Sequence, residues 1–364
     1  MNRTVAFTVC VVLATAVLAY ATKSKNQPPE DEEKPLYPAR ATDCRVGLDF
    51  DKSDSPEFPE TGRTDELLLY PPPPTDVTIH LANMGVPCEF TLDNAIAYRV
   101  ELPGTPMTSS LRIIGGKDVV IIGGAFDMRD TTTSAALTFY NNDNPVAQTI
   151  HVEGVDIEMG AFGKDAIAFD TPGSHLQLQN IRITGVDGAF AGGHADALQN
   201  WGGALSLSVH KMTVRTNYQG FWIGEADSTL EGFIGKVHLK EVEFARETDG
   251  IDENRPIYLL LTRNLEDRGC VTYPGGATLE QVYIIPDGGA FGDKETYPNT
   301  EEPDACKAQL DTSGTYLTWP DVPGDVGING AVEKISSPRN IVPEGYAGVG
   351  YTSPGYILNP IESN

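Results

Sequence analysis

The sequence predicts an all-β chain folded as a right-handed parallel β-helix, with loop-rich extensions at its N- and C-terminal ends. Three observations lead there. Short alternating apolar segments recur in two interleaved rows, glycine, asparagine and aspartate fill the gaps between them, and helix-period patterning is nearly absent.

Residues 1–21 have the pattern of an export signal. Arg3 precedes an apolar run from Val5 to Leu18, and Ala19-Tyr20-Ala21 supplies the small-x-small cleavage pattern. That run is too short to span a bilayer comfortably and no second one follows, so the expectation is a secreted or periplasmic protein and no membrane partner. Of the five cysteines, Cys10 lies inside the signal, which leaves Cys44, Cys88, Cys270 and Cys306 for an oxidising compartment. Two disulfides are expected. Four cysteines allow three connectivities, and Cys44 with Cys88 and Cys270 with Cys306 are favoured because each pair would pin a loop-rich flank. The absence of a Cys-x-x-Cys pair argues against a thiolate zinc site.

Residues 22–75 read as an acidic, proline-rich linker, running from Pro28-Pro29-Glu30-Asp31-Glu32-Glu33 to Pro71-Pro72-Pro73-Pro74. Such composition buries too little apolar surface to offset its ordering entropy. Part of it is a candidate to be tied down through Cys44 or to cover an open strand edge. The whole chain carries a formal charge of −25. This excludes nucleic acid as an expected partner and opposes any polyanionic substrate, unless a local basic or calcium-filled groove overrides the field.

Residues 76–288 form the expected β-helix domain, its repeats legible from about 108. The first row has apolar positions at Val119, Val155, Ile181, Met212, Val242 and Val282. The second comprises Leu137-Thr138-Phe139, Ile167-Ala168-Phe169, Leu198-Gln199-Asn200, Phe221-Trp222-Ile223 and Leu259-Leu260-Leu261. Two short strands per repeat of roughly 20 to 40 residues is a solenoid pattern. The gaps are too short and glycine-rich to hold the crossover helices of a βαβ sheet.

Within the second row, Gly192-Gly193-His194-Ala195-Asp196-Ala197-Leu198-Gln199-Asn200-Trp201 concentrates a histidine, a carboxylate, an amide and an indole. Aligning Asp165-Ala166-Ile167 with Asp196-Ala197-Leu198 stacks Asp165 beneath Asp196, about 4.8 Å apart, in a column that continues to Gln219 and towards Arg255. Two carboxylates at that separation either share a proton or hold a cation such as calcium, with Asp165 and Asp196 as the ligands.

The two strand rows and the segment His194-Ala195-Asp196-Ala197-Leu198-Gln199 resemble the pectin-lyase-like β-helix superfamily, and more narrowly its secreted right-handed β-helix repeat proteins. The resemblance covers roughly half the chain and implies fold more than activity, since lyases, hydrolases, epimerases, esterases and adhesins share it. The Asn-Thr-Asp and Gly-His-Gly segments of polygalacturonases, the Gln-Asp-Thr-Leu of pectin methylesterases and the Trp-Ile-Asp-His of pectate lyases are absent here. Arg255-Pro256 is similar to the arginine-proline pair of pectate lyases.

Two chemistries fit the column. In β-elimination, calcium or a basic neighbour (Lys164 or Arg255) neutralises a uronate carboxylate while His194 abstracts the C5 proton. In glycoside hydrolysis, Asp165 and Asp196 act as acid and nucleophile. Gln199, Trp201 and Trp222 would bind sugar in either case, the indoles as stacking platforms. The structural alternatives stay open beside these. Asp165 and Asp196 share parity with the core residues Ile167 and Leu198, His194 fits a turn, the tryptophans fit a cover over the strands, and Glu225 and Asp227 fall in an exposed turn. Lys211, Arg215, Lys236 and Lys240 fit a solvated face or a local anion-attracting strip.

Residues 289–364 break the two rows and read as a loop-rich C-terminal cap, laid along the strands, over an open edge or as one wall of a groove. The expected function is a polysaccharide lyase acting on an acidic, uronate-containing glycan. The alternatives are a non-catalytic carbohydrate-binding or surface protein and a glycoside hydrolase. Possible calcium is the expected cofactor, and polysaccharide the expected partner.

Overall fold

A computed structural model describes residues 40–42, 46–47 and most of 67–357. The longer stretches outside the described residues within that span are 224–232, 248–256, 287–307 and 321–326. The signal segment 1–21, Cys44, Glu225, Asp227, Arg255 and Cys306 also lie outside the described residues, as does the side chain of Cys270.

The chain is all-β, and its strands join mainly in one long, largely parallel sheet. Among the described residues no helix is long and apolar enough to cross a membrane. Parallel pairing follows three ladders that the chain visits in turn. The first ladder begins with Val77–Leu81, Ala97–Glu101, Asp118–Ile122 and Gln148–Glu153. It then uses the middle of Ile167–Val186 and of Asp196–Thr216, followed by the opening halves of Ile234–Ala245 and Ala277–Ile284. The second ladder starts at Ala125–Asp127 and Asp156–Glu158 and continues through the later halves of those long strands. The third runs from Cys88–Leu92 through Leu111–Gly115 and Leu137–Tyr140 to Gln219–Trp222 and Ile257–Leu260.

Register explains why the sheet holds. On the first ladder, Val152, Leu178, Val209, Leu239 and Leu279 pair rung upon rung, and all are buried. Leu137, Ile167, Leu198, Phe221 and Leu259 form the equivalent column on the third. Each such side chain contributes about 1.5–3 kcal/mol on burial, so stacking like on like builds one continuous core.

The second row of the sequence reading matches the third ladder residue for residue. The first row matches the second ladder from Ile181 through Met212 and Val242 to Val282. Val119 is a correction: it pairs with Ile150 on the first ladder, whereas Gly124, one residue before the Ala125–Asp156 rung, is the residue in register with Val155. Two strands per repeat is also an undercount. First and second ladders meet at a single left-handed residue, Asn180, Lys211, Glu241 or Gln281, with φ of 51–57°. The chain therefore bends between ladders without a loop, and no turn signal separates the two strands.

The ends join the sheet more closely than linker or cap implies. Arg40–Thr42 pairs antiparallel with Cys88–Leu92, and Val46–Gly47 with Val77–Leu81. Past residue 288, Ile328–Lys334 adds a further parallel rung to Ala277–Ile284. The tail then runs back along the bend between the first two ladders. The amide of Arg339 donates to Glu243 Oε2 (2.8 Å), that of Val342 to Thr213 Oγ1 (2.8 Å) and that of Gly348 to the carbonyl of Gly154 (2.7 Å). It meets the N-terminal segment where Leu68 donates to the carbonyl of Gly355 (2.9 Å).

Candidate functional site

The Asp165 column forms as the alignment predicts. Ile167 pairs with Leu198, Asp196 pairs with Gln219, and the amide of Asp196 donates to Asp165 Oδ1 at 3.0 Å. The rung beyond Gln219 is Ile257. Asp196 is 1% exposed, on the core side of its strand, which is the parity it shares with Leu198. Burial pushes the Asp165 carboxyl up to about 6, against the amide of Asp196 and the charge of Lys164. Burial and then the neighbouring Asp165 drive Asp196 well above the usual carboxylate range. Asp196 Oδ1 and Gln219 Oε1 are both buried without a hydrogen-bond partner. Calcium takes six to eight oxygens, whereas among the described residues no third His, Cys, Asp or Glu joins these two carboxylates. Both shifts favour the protonated carboxyl at this pair.

That protonation has a sign. Between the ordinary value of 3.8 and about 6 the folded chain holds more protons here than the unfolded chain, so stability falls as pH rises through that window. Asp196→Asn is expected to raise stability at neutral pH, because it removes a carboxyl that burial and Asp165 hold against ionisation, and to give no gain below the ordinary carboxylate range. Urea unfolding at both pH values reads the difference.

The other residues of the segment spread outward. His194 is exposed, its ring edge-on to Tyr218 at 5.8 Å. Gln199 Nε2 donates to the carbonyl of Asn200 (3.0 Å), Trp201 is 44% exposed and Trp222 is half-buried. Lys164 is half-buried beside Asp165.

A second polar array lies on the outer face of the first ladder. The alternate residues between its core positions are Thr149, His151 and Glu153; His175, Gln177 and Gln179; Ser206, Ser208 and His210; Lys236, His238 and Lys240, in register rung by rung. With His80, this face carries five of the six histidines of the chain. At one margin it is open. His175 is exposed, its Nδ1 lies 2.8 Å from Ser206 Oγ, and exposed Lys236 occupies the next rung.

The middle of the face is crossed by the N-terminal segment. Tyr70 OH lies 2.7 Å from His238 Nδ1, and the Tyr70 backbone exchanges hydrogen bonds with the Gln179 amide. Burial pushes the Tyr70 phenol up to about 12, so it stays a donor. The lower end is sealed. Glu153 and His151 are fully buried, and Glu153 accepts from Tyr351 OH (2.8 Å) and Tyr356 OH (2.5 Å).

Comparison with protein-family models, curated proteins and solved structures finds no match. The site therefore rests on its own geometry. The sequence does not announce this face, because a single left-handed residue rather than a turn separates the ladder that carries it from the next. The signal is present in hindsight as polar residues at i, i+2 and i+4 between aliphatics: His175-Leu176-Gln177-Leu178-Gln179, Ser206-Leu207-Ser208-Val209-His210 and Lys236-Val237-His238-Leu239-Lys240.

Proposed function

We propose that the three ladders are the faces of a right-handed parallel β-helix of the pectin-lyase-like kind, that the chain is exported, and that it cleaves an acidic polysaccharide by β-elimination on the outer face of the first ladder. The observation that carries the reading is the open margin where His175 contacts Ser206 and Lys236 follows on the next rung. An extended polymer needs repeated polar contacts along one line, and rungs about 4.8 Å apart supply them. The disulfide-bonded state of Cys88 supports an oxidising compartment.

In the tautomer where Nδ1–H of His175 donates to Ser206 Oγ, Nε2 carries the lone pair. Lys236 neutralises the uronate carboxylate, Nε2 takes the C5 proton, the C4–O4 bond breaks, and the departing oxygen is protonated by the imidazolium or water. Asp165 and Asp196 then serve as a buried protonated pair rather than as acid and nucleophile. His194, in the segment that leads into the strand opening at Asp196, lies apart from the reaction.

The test is incubation of mature protein with alginate, pectate, glycosaminoglycan and ulvan-like polysaccharides, following the ultraviolet absorbance of the unsaturated uronate end. The absorbance is expected to rise, and His175→Ala is expected to lower the rate by about 10²-fold or more while leaving the unfolding midpoint unchanged. A rise that survives His175→Ala and disappears with His194→Ala would move the chemistry to the third ladder. No rise and no new reducing ends on any of the four would favour the non-catalytic glycan-binding alternative.

A further inference from the structure

The returning tail lines a solvent-open cavity of about 640 Å³ against the bend between the first and second ladders, with Asn180, Lys211 and Glu241 as its floor and Tyr346, Val349 and Tyr351 among its wall residues. A volume in this range suits a small ligand. The wall is held in place: Asn180 Nδ2 donates to the Tyr346 carbonyl (2.8 Å), and Tyr351 is tied by its phenol to buried Glu153. Tyr346 nevertheless leaves 68% of its surface exposed and Val349 46%. An aromatic face fixed by its backbone and open to solvent is a stacking surface.

The floor carries a second, independent signal. In the same column the bend is made by Gly154 and then Asn180, residue types that tolerate left-handed φ. At the next two rungs it is made by Lys211 (φ 57°) and Glu241 (φ 54°), which do not favour it. Glycine would serve the backbone better at both. Gln281 continues the same bend at the following rung (φ 55°) away from the cavity, so the left-handed backbone belongs to the fold, and what marks the cavity floor is that both of its residues at those two rungs carry charge. His210 Nε2 lies 3.6 Å from Glu241 Oε1 and is the main influence keeping that carboxylate ionised.

We propose that this cavity is a saccharide subsite that takes one neutral pyranose unit, stacked on Tyr346, with Glu241 accepting from two adjacent hydroxyls and Lys211 donating to a third oxygen. One ammonium and one carboxylate offer no net charge to a ligand, so the geometry selects hydroxyls rather than a uronate. The inference extends the glycan reading given above, since a neutral subsite beside a uronate-handling face implies a glycan of mixed composition. It is nonetheless read by binding rather than by cleavage.

The experiment is saturation-transfer NMR on the mature chain with the methyl glycosides of glucose, galactose, mannose and xylose and with methyl glucuronide. At least one neutral glycoside is expected to receive saturation, and Tyr346→Ala is expected to weaken it at least about tenfold. Lys211→Gly and Glu241→Gly should weaken binding several-fold while the unfolding midpoint stays level or rises, because glycine relieves the left-handed backbone. That opposition separates a binding role from a structural one. Saturation of none of the neutral glycosides, a preference for the glucuronide, or unchanged binding in Tyr346→Ala would each overturn the assignment. Elimination activity without glycoside binding would sink the subsite and leave the lyase reading intact. Glycoside binding without elimination would do the reverse.

Discussion

Replacing Glu153 by alanine is expected to cost 3–5 kcal/mol, roughly the loss seen when one partner of a buried charged network is removed. The side chain is fully buried, and its two oxygens collect Tyr351 OH, Tyr356 OH, His151 Nε2 at 3.2 Å and Gln179 Nε2 at 3.3 Å. Burial by itself would raise this carboxyl, but hydrogen bonding and attraction from His151 together with the Tyr356 phenol outweigh it and hold Glu153 below its ordinary 4.5. The folded chain therefore binds fewer protons here than the unfolded chain. The stabilisation is fully present above 4.5 and is lost as pH falls through the lower folded value. Glu153→Gln keeps the shape and removes the titration, so its penalty relative to wild type should shrink on acidification while that of Glu153→Ala persists. Chemical denaturation at neutral pH and in the acid range measures both. A penalty for Glu153→Gln that is the same at every pH would show that the charge does not hold the tail.

That network shows why the fold was legible in the sequence and the candidate site largely was not. Stacked apolar positions such as Ile167, Leu198, Phe221 and Leu259 recur once in roughly every 20 to 40 residues, so their register is visible in one dimension. The Asp165–Asp196 pairing followed from that register alone. The burial of Asp196 follows from its parity with Leu198. The contacts of Glu153 instead come from residues about two hundred positions away, and no local pattern announces that Tyr351 and Tyr356 return to cover it. The first ladder was hidden for a different reason. One left-handed Asn180 or Lys211 does the work of a turn, and neither residue reads as punctuation between Gln179 and Ile181 or between His210 and Met212. Without that ladder, nothing in the sequence connects His175, Ser206 and Lys236, and Lys236 reads only as one of a strip of cations with Lys211, Arg215 and Lys240.

Gly154→Ala is expected to cost about 3 kcal/mol or more. Two costs add. Gly154 has a φ of +66°, which a residue with a Cβ adopts at about 1 kcal/mol or more. The new Cβ would also lie 2.1 Å from Tyr351 Cδ1 and 2.2 Å from its Cε1. The ring has no easy retreat, because its phenol is bonded to Glu153 and the amide of Gly348, three residues before it, donates to the Gly154 carbonyl. Relieving the overlap therefore means releasing the tail from a buried carboxylate. The contrast with Asn180, the next residue in the same column, isolates the second cost: it holds φ 51° with a full side chain and places its amide on the Tyr346 carbonyl. A double-mutant cycle decides the matter. In a Tyr351→Ala background the overlap is gone, so Gly154→Ala should cost only the backbone part, leaving a coupling of about 2 kcal/mol between two residues 197 positions apart (351 − 154). Additive effects would mean that Tyr351 does not rest on Gly154, and the seal over Glu153 would lose its lid.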